Sequence, residues 1–268
     1  MNNLITNKIV CNDAINFLNT IPNNSIDLIF VDPPYNKGKN YGKNVNDSMS
    51  DDEYFKWIDE WTSLAFNKLK KTGSFYHMNA QGSIHQVKLI TDRYGCYKST
   101  IVWLLRNPTP NKKNYPNVHQ DVLFYTKDKN NYTFNQQDKL PYELRGYNKT
   151  SGITHNWHIP YNVWLDIPQL VGGFQAQKEV ELIKRTFKRK HIMQLPLKLL
   201  ERIILTSSNK EDSVLDFFCG SGTTCVAAKK LERKFIGVDI NFDYCKLSNE
   251  RLEKIKYYEG RKKINNYF

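Results

Sequence analysis

Ser25-Ile-Asp-Leu-Ile-Phe-Val-Asp-Pro-Pro-Tyr35 is the stretch on which the reading of the chain turns. Ser25 to Val31 is a short apolar run rich in β-branched and aromatic residues, the pattern of a strand buried in a parallel sheet. Asp32 then falls where the strand opens into a loop, and open α/β sheets bind ligands at the carboxyl ends of their strands. Pro33 and Pro34 have fixed φ and no N–H, so the loop begins stiffly, with its carbonyls turned outward. The result is a rigid pair of acceptors, the Asp32 carboxylate and the Pro33 carbonyl, beside the aromatic face of Tyr35. Such a group suits a flat ligand that carries an exocyclic amine. Asp-Pro-Pro is also an ordinary exit from strand to turn, so the surrounding chain carries the decision.

Upstream, Lys8-Ile-Val-Cys11 reads as a strand, with Asn12-Asp13 capping a helix from Ala14 to Asn19. An acid at that position can also face a cofactor. Downstream, Asn36 to Ser50 is a polar loop carrying Lys37, Lys39 and Lys43, expected to be mobile without a partner. Ser50-Asp-Asp-Glu53 is a capping box. It opens an amphipathic helix with Tyr54, Trp57, Ile58, Trp61, Leu64, Ala65 and Leu69 on its core face, ended by Gly73. Strands follow at Ser74 to Met78, at Tyr97 to Leu105 and at Asp121 to Thr126, with a helix from Ser83 to Tyr94. The last two strands lack an intervening helix and are expected as an antiparallel edge hairpin on an otherwise parallel sheet. From Lys127 to Lys190 periodicity disappears, and the segment ends in Lys184-Arg-Thr-Phe-Lys-Arg-Lys190. Long pattern-free segments inside compact domains usually serve function; the basic run also reads as a solvated face or linker.

Regularity returns with a helix from Leu197 to Thr206 and a strand from Ser213 to Phe217. The strand runs into Phe218-Cys-Gly-Ser-Gly-Thr-Thr224 and a helix ending near Leu231; a strand, Lys234 to Asp239, and a helix, Phe242 to Ile255, follow. Strand, Gly-x-Gly, helix, strand, acid is the grammar of a nucleotide-like cofactor site. Gly220 and Gly222 let the backbone approach a ligand, and the helix N-terminus offers free N–H groups. Asp239 is placed to accept from ribose hydroxyls. The third glycine of a dinucleotide fingerprint is missing, as is a Gly-Lys-Ser/Thr, so a nucleoside cofactor without phosphates fits better.

The 39 basic and 27 acidic residues leave a net charge of +12. That excess points first to nucleic acid, then to anionic membranes or acidic partners. No apolar run has the length of a membrane span and the first residues lack a signal-peptide pattern, so membrane insertion is excluded and a cytoplasmic location expected. The five cysteines (Cys11, Cys96, Cys219, Cys225, Cys245) include no Cys-x-x-Cys, which argues for a reducing cytosol, no disulfide framework and no zinc or other metal site. His155 and His158 have no ligand partners at metal spacing and read as unrelated loop residues.

Asp-Pro-Pro-Tyr-Asn36 and Leu-Asp-Phe-Phe-Cys-Gly-Ser-Gly-Thr-Thr224 together resemble the amino-methylating DNA methyltransferases that use S-adenosylmethionine. With the catalytic motif first and the cofactor motif last, the order is similar to that of their beta class. The likeness covers residues 7 to 127 and 191 to 255. Trp103 to Pro108 and His119-Gln120 resemble a further motif that lines the target-base pocket. The resemblance implies an α/β Rossmann-like methyltransferase fold, with helices on both faces of a mostly parallel twisted sheet and a circularly permuted motif order. It implies a single domain over 1–268: a catalytic half (1–127), an inserted target-recognition segment (128–190), a cofactor-binding half (191–258) and a tail (259–268). Ile192 and Leu195 depart from it, standing where the family usually has Pro and Lys; Gln120 stands where it often has Glu.

Residue by residue, the resemblance places Asp13 and Ala14 at the cofactor's adenine and Asp239 at its ribose. Phe218, Gly220, Gly222 and Thr223 then surround the methionine part, and Asp216 and Ser221 also join the cofactor site. Asp32, Pro33, Pro34 and Tyr35 become the catalytic loop, acting on the N6 amine of an adenine flipped out of duplex DNA. Lys37, Lys39, Lys43, Lys184, Arg185, Lys188 and Arg189 are expected on phosphates. A homodimer and a cognate restriction nuclease are further expectations from the family. Four alternatives stay open: methylation of cytosine N4, methylation of RNA or protein, a non-catalytic DNA-binding protein with a retained cofactor pocket, and an oxidoreductase.

Overall fold

The computed structural model describes residues 4–39, 45–105, 113–135, 162–170 and 194–259. Its centre is one sheet built from β1 (Lys8–Cys11), β2 (Ile26–Val31), β3 (Leu69–Asn79), β4 (Cys96–Leu104), β5 (His119–Thr126), β6 (Val163–Trp164), β7 (Ser213–Asp216) and β8 (Lys234–Asp239). The order across it is β1-β8-β7-β2-β3-β5-β4-β6. Only β5 runs against the others, antiparallel to both β3 and β4. Among the described residues the helices are α1 (Ala14–Thr20), α2 (Asp51–Lys68), α3 (Ile84–Thr91), α4 (Leu197–Ser207), α5 (Thr223–Lys230) and α6 (Phe242–Glu259).

Both faces of the sheet are covered, and alternate strand residues divide between them as the two-residue period requires. Ile29 and Val31 of β2 pack with Phe17, Ile58, Trp61 and Val87 from α1, α2 and α3. Leu28 and Phe30 face the other way, onto Leu200, Ile203, Val226 and Leu252 from α4, α5 and α6. All four β2 residues are fully buried, which is why the strand reads as an unbroken apolar run. The capping box forms as expected: Glu53 N donates to Ser50 Oγ (3.3 Å) and Ser50 N to Glu53 Oε2 (3.0 Å).

Four expectations are corrected. First, α2 stops at Lys68, and Gly73 lies inside β3. Ile26 pairs with Leu69 but Leu28 with Ser74, so β3 bulges there. A Cβ on Gly73 would come within 2.9 Å of Leu69 Cδ2 and 3.1 Å of the Asp27 carbonyl, so the glycine permits close approach instead of ending a helix. Second, the β4–β5 hairpin is not the sheet's edge: β5 inserts between β3 and β4, and β6 pairs parallel with β4 beyond them.

Third, the pattern-free stretch supplies that edge strand. Trp164 and Ile167 are core residues, and Trp103 Nε1 donates to the Ile167 carbonyl (2.7 Å). Arg202, fully buried on α4, donates to both oxygens of Asp166 (3.0 and 2.5 Å) and lies 4.9 Å from the Trp164 ring centroid. Fourth, Asn36 to Lys39 are tied down. Buried Asp47 accepts from the backbone N–H of Asn36 (2.7 Å), Lys37 (3.1 Å) and Lys39 (2.7 Å), while Asn36 exchanges side-chain bonds with the Met49 backbone. Among the described residues no helix is long and apolar enough to cross a membrane.

Candidate active site

The chain leaves β7 through α5 to β8 on one side, and β2 through α2 to β3 on the other, so the order reverses between β7 and β2. At such a reversal the loops diverge and leave a crevice at the strands' carboxyl ends. Ile29 pairs with Leu215 across it. Asp32 and Phe218, each three residues further on, therefore emerge side by side. Farther along, Cys11 pairs with Asp239 and Asn12 N donates to the Asp239 carbonyl (3.0 Å), which brings Asp13 to the same edge. Four adjacent strand ends thus gather Asp13, Asp239, the Phe218–Gly222 loop and the Asp32–Tyr35 loop.

On the β2 side the Tyr35 hydroxyl donates to Asp32 Oδ1, so its ring folds over its own motif. Burial raises the Asp32 carboxyl to about 6, against the opposing pull of the Tyr35 hydrogen bond and the Lys39 charge. The Tyr54 hydroxyl donates to the Pro34 carbonyl (2.9 Å). Lys37 and Lys39 are exposed at the mouth. Next to this loop, Gln81 donates to the His119 ring (2.7 Å) and Trp103 is buried in the core.

On the β7 side Gly220 (φ +50°) and Gly222 (φ +77°) both take the left-handed conformation that glycine permits. A Cβ on Gly220 would meet nothing within 4 Å, whereas one on Gly222 would strike Ser248 Cβ at 2.7 Å. The loop is therefore open above Gly220 and closed onto α6 below Gly222. Arg251 of α6 donates to the Ser221 carbonyl (2.5 Å) and to the hydroxyls of Ser221 (3.0 Å) and Thr223 (3.1 Å). Asp216 accepts from Thr224 Oγ1 (2.5 Å) and Phe218 N (3.0 Å), and Asp239 from Gly220 N (2.9 Å) and Asn241 N (2.8 Å). Burial lifts Asp216 to about 7, helped by the charges of Asp32 and Asp239, and lifts Asp239 to about 6. Asp13 Oδ1 caps α1 by accepting from Asn16 N (2.9 Å), and Ala14 is buried beside it.

The model of the DNA methylase family matches residues 26–250, a span that contains both loops. The chain belongs to that family. It is 36% identical over 261 residues to the DNA adenine methyltransferase YhdJ of Escherichia coli K12, covering 94% of this chain and 84% of that protein. It is 34% identical over 250 residues to the type II methyltransferase M.HpaI of Haemophilus parainfluenzae, covering 92% and 74%. The crystal structure of the M1.HpyAVI–SAM complex superposes with a TM-score of 0.63 at 25% identity, over 91% of this chain and 98% of that one. The cytosine-N4-specific PvuII DNA methyltransferase superposes with a TM-score of 0.69 at 21% identity, over 94% and 91%, a likeness of fold.

In this DNA methylase Lys43, Lys184, Arg185, Lys188 and Arg189 lie outside the described residues, as do Asn107, Pro108, His155, His158 and His191 to Met193. Sequence reasoning missed Asp47, Asn79 and Arg251, and took Tyr54 for a core residue only. Each acts on backbone or side-chain groups distant in the chain, and no local pattern marks it. The capping box offered one usable signal: it fixed the start of α2 and so the turn of helix on which Tyr54 stands.

Proposed function

We propose that the protein transfers a methyl group from S-adenosylmethionine to the N6 amine of an adenine in double-stranded DNA. The observation that supports this best is the pairing of Ile29 with Leu215, which sets the amine-binding acceptors beside the glycine loop. The open space above Gly220, with the Asp239 carboxylate hydrogen-bonded to that glycine's N–H, fits a nucleoside ligand lying on the backbone. Asp13 and Ala14 would border its adenine, Asp239 its ribose, and Phe218, Gly220, Ser221, Gly222 and Thr223 its methionine part. Asp216 holds that loop through Thr224 and Phe218 N. When bound, S-adenosylmethionine supplies the electrophilic sulfonium methyl.

An adenine amine is a weak nucleophile because its lone pair is delocalised into the ring. Tyr35 occupies Asp32 Oδ1, which leaves Oδ2 to accept one amine N–H. The Pro33 carbonyl, which accepts no hydrogen bond among the described residues, takes the other. Both bonds favour a pyramidal nitrogen with its lone pair directed along the transfer axis, a positioning and electrostatic effect. The nitrogen becomes acidic as it methylates, so the Asp32 carboxylate need only hold the departing proton briefly. Tyr35 presents its ring to the extruded base.

Lys37, Lys39 and Lys43, with Lys184, Arg185, Lys188 and Arg189, would hold phosphates, and residues 128–190 would read sequence between the catalytic and cofactor halves. Adenine is favoured over cytosine by Asp32 itself, the family's tendency being Asp for adenine and Ser for cytosine, and by the similarity to an adenine enzyme. The likeness to type II methyltransferases supports a place in a restriction–modification system in the cytoplasm, with a cognate nuclease, and a dimer as the family's frequent state.

The test is Asp32→Ala. It should bind S-adenosylmethionine within about twofold of wild type by calorimetry, yet transfer no tritiated methyl to unmethylated bacterial DNA. Mass spectrometry of nucleosides from wild-type reactions should give N6-methyladenine. Wild-type turnover by the variant, or N4-methylcytosine as the product, would overturn the assignment.

A further inference from the structure

Behind the catalytic loop lies a buried polar chain that the proposed chemistry does not use. Tyr54 is 2% exposed, and its hydroxyl donates to the Pro34 carbonyl (2.9 Å) while receiving Asn79 Nδ2 (3.3 Å). Asn79, the fully buried last residue of β3, is itself fixed: its Oδ1 accepts from Ala80 N (2.7 Å) and its Nδ2 lies 3.5 Å from His77 Nε2. Val31 pairs with His77, so this row runs directly beside Asp32. Burial drives His77 down to about 3, which keeps the ring neutral, and Nε2 accepts from Asn79 in the tautomer that carries its proton on Nδ1. Burial, with the charges of Asp47 and Asp32, pushes the Tyr54 phenol up to about 12, so it remains a donor at any working pH.

We infer that Tyr54, itself held by Asn79, is a positioning residue that fixes the aim of the Pro33 carbonyl and so the line of methyl transfer. The rings of Pro33 and Pro34 lock both φ angles. The remaining freedom at the acceptor is rotation about ψ of Pro33, and that rotation would carry the Pro34 carbonyl off the Tyr54 hydroxyl. One phenol therefore ties the loop at the carbonyl next to the acceptor, so that a swing about ψ of Pro33 breaks this bond unless ψ of Pro34 turns with it. A misplacement of about 1 Å at a reacting centre can cost about a hundredfold in rate. The inference rests on the reading of Asp32 to Tyr35 as the amine-binding loop.

The experiment compares Tyr54→Phe, Asn79→Ala, the double variant and Asp32→Ala in the full chain. Single-turnover transfer of tritiated methyl to unmethylated bacterial DNA is measured well below every melting temperature, alongside calorimetric affinity for S-adenosylmethionine. Tyr54→Phe should slow transfer at least tenfold, with affinities for cofactor and DNA unchanged within about twofold. Asn79→Ala should be slowed less, and the double variant should be no slower than Tyr54→Phe, because Asn79 acts through the phenol. A wild-type rate for Tyr54→Phe, a fall that tracks only its melting temperature, or additive losses in the double variant would each overturn the inference. If Asp32→Ala keeps activity, the reading of the loop fails instead. If Tyr54→Phe does not fold, the rate and affinity split of Asn79→Ala decides alone.

Discussion

Asp32 and Phe218 stand three residues beyond Ile29 and Leu215, which face each other in adjacent parallel strands. Residues nearly 190 positions apart in the chain thereby become neighbours across one crevice (Phe218 minus Asp32 is 186). The same adjacency lets the charges of Asp32 and Asp239 both push Asp216 upward. Three carboxyl groups therefore share one partly desolvated edge, where a cationic ligand gains from each.

That desolvation predicts the acid limb of the rate. The Asp32 carboxyl is raised to about 6 because the charged form loses water. Only the carboxylate serves as a full acceptor for the amine, so the active fraction grows as pH rises through 6. Single-turnover transfer at saturating cofactor should fall about tenfold per pH unit on an acid limb at or below about 6, since a bound sulfonium draws the Asp32 carboxyl down from its free value, and be flat above about 7. Saturation matters because Asp239 also sits at about 6, and its protonation bears on cofactor affinity. A rate that stays flat to well below pH 4, where an ordinary aspartate titrates, would show that ionised Asp32 is not needed for transfer.

Asp47 offers a second test. It takes backbone N–H groups from Asn36, Lys37 and Lys39 on its two oxygens. Asp47→Ala leaves those donors without an acceptor, a loss of about 1–3 kcal/mol for each that water cannot reach. Asp47→Asn keeps one oxygen for the Lys37 and Lys39 N–H groups but sets an amide N–H against that of Asn36, so it rescues only in part. Both variants should melt earlier and be cut by protease between Asn36 and Met49. Wild-type melting and protease resistance would refute the role.

Much of this was legible in the sequence where cause and effect are close together. The β2 run, the capping box at Ser50 and Glu53, and the Gly220 to Gly222 turn each announce themselves within a few residues, and all three form as read. Asp13 likewise caps α1. What the sequence hid depends on distant partners. Val163 and Trp164 make a strand only because Val102 and Trp103 present an edge for them. Leu69 to Gly73 extend β3 because Ile26 recruits Leu69 across a bulge, against the helical spacing that runs through Leu69 in the sequence. Asp47 lies in a polar loop whose composition suggested mobility, and only the three N–H groups it gathers reveal the anchor.

The two glycines should separate stability from cofactor affinity. Gly222→Ala must hold φ near +77° at a cost of about 1–2 kcal/mol, and it also drives a methyl into Ser248 at 2.7 Å. Gly220→Ala carries the φ cost alone, since nothing lies near its Cβ, but fills the space proposed for the cofactor. Differential scanning fluorimetry should therefore rank Gly222→Ala as the less stable variant. Calorimetry should rank Gly220→Ala as the weaker binder of S-adenosylmethionine. Adding Ser248→Gly should recover part of the loss in Gly222→Ala and none of the loss in Gly220→Ala. Equal melting temperatures for the two single variants would contradict the contact with α6.

The last prediction concerns how residues 162–170 are held. Arg202 is wholly buried and meets Asp166 with two donors, with Lys198 3.1 Å from the same carboxylate. These charges hold Asp166 below the usual carboxylate range despite partial burial. Removing one partner of a buried pair strands the other, a penalty of about 3–5 kcal/mol. Asp166→Ala should therefore unfold at markedly lower denaturant than wild type, because the Arg202 guanidinium is left without its counter-charge against the Trp164 ring. Replacing the charge as well, in Asp166→Ala with Arg202→Met, should return most of that stability, since an apolar stem suits the surroundings of Leu199, Ile203 and Ile167. Trp164 reports the docking directly: its fluorescence should shift to the red in Asp166→Ala and return in the double variant, with Trp164→Phe as the blank for the other tryptophans. A double variant as unstable as Asp166→Ala would mean that the ion pair contributes favourably in its own right, beyond offsetting the cost of burying the Arg202 charge.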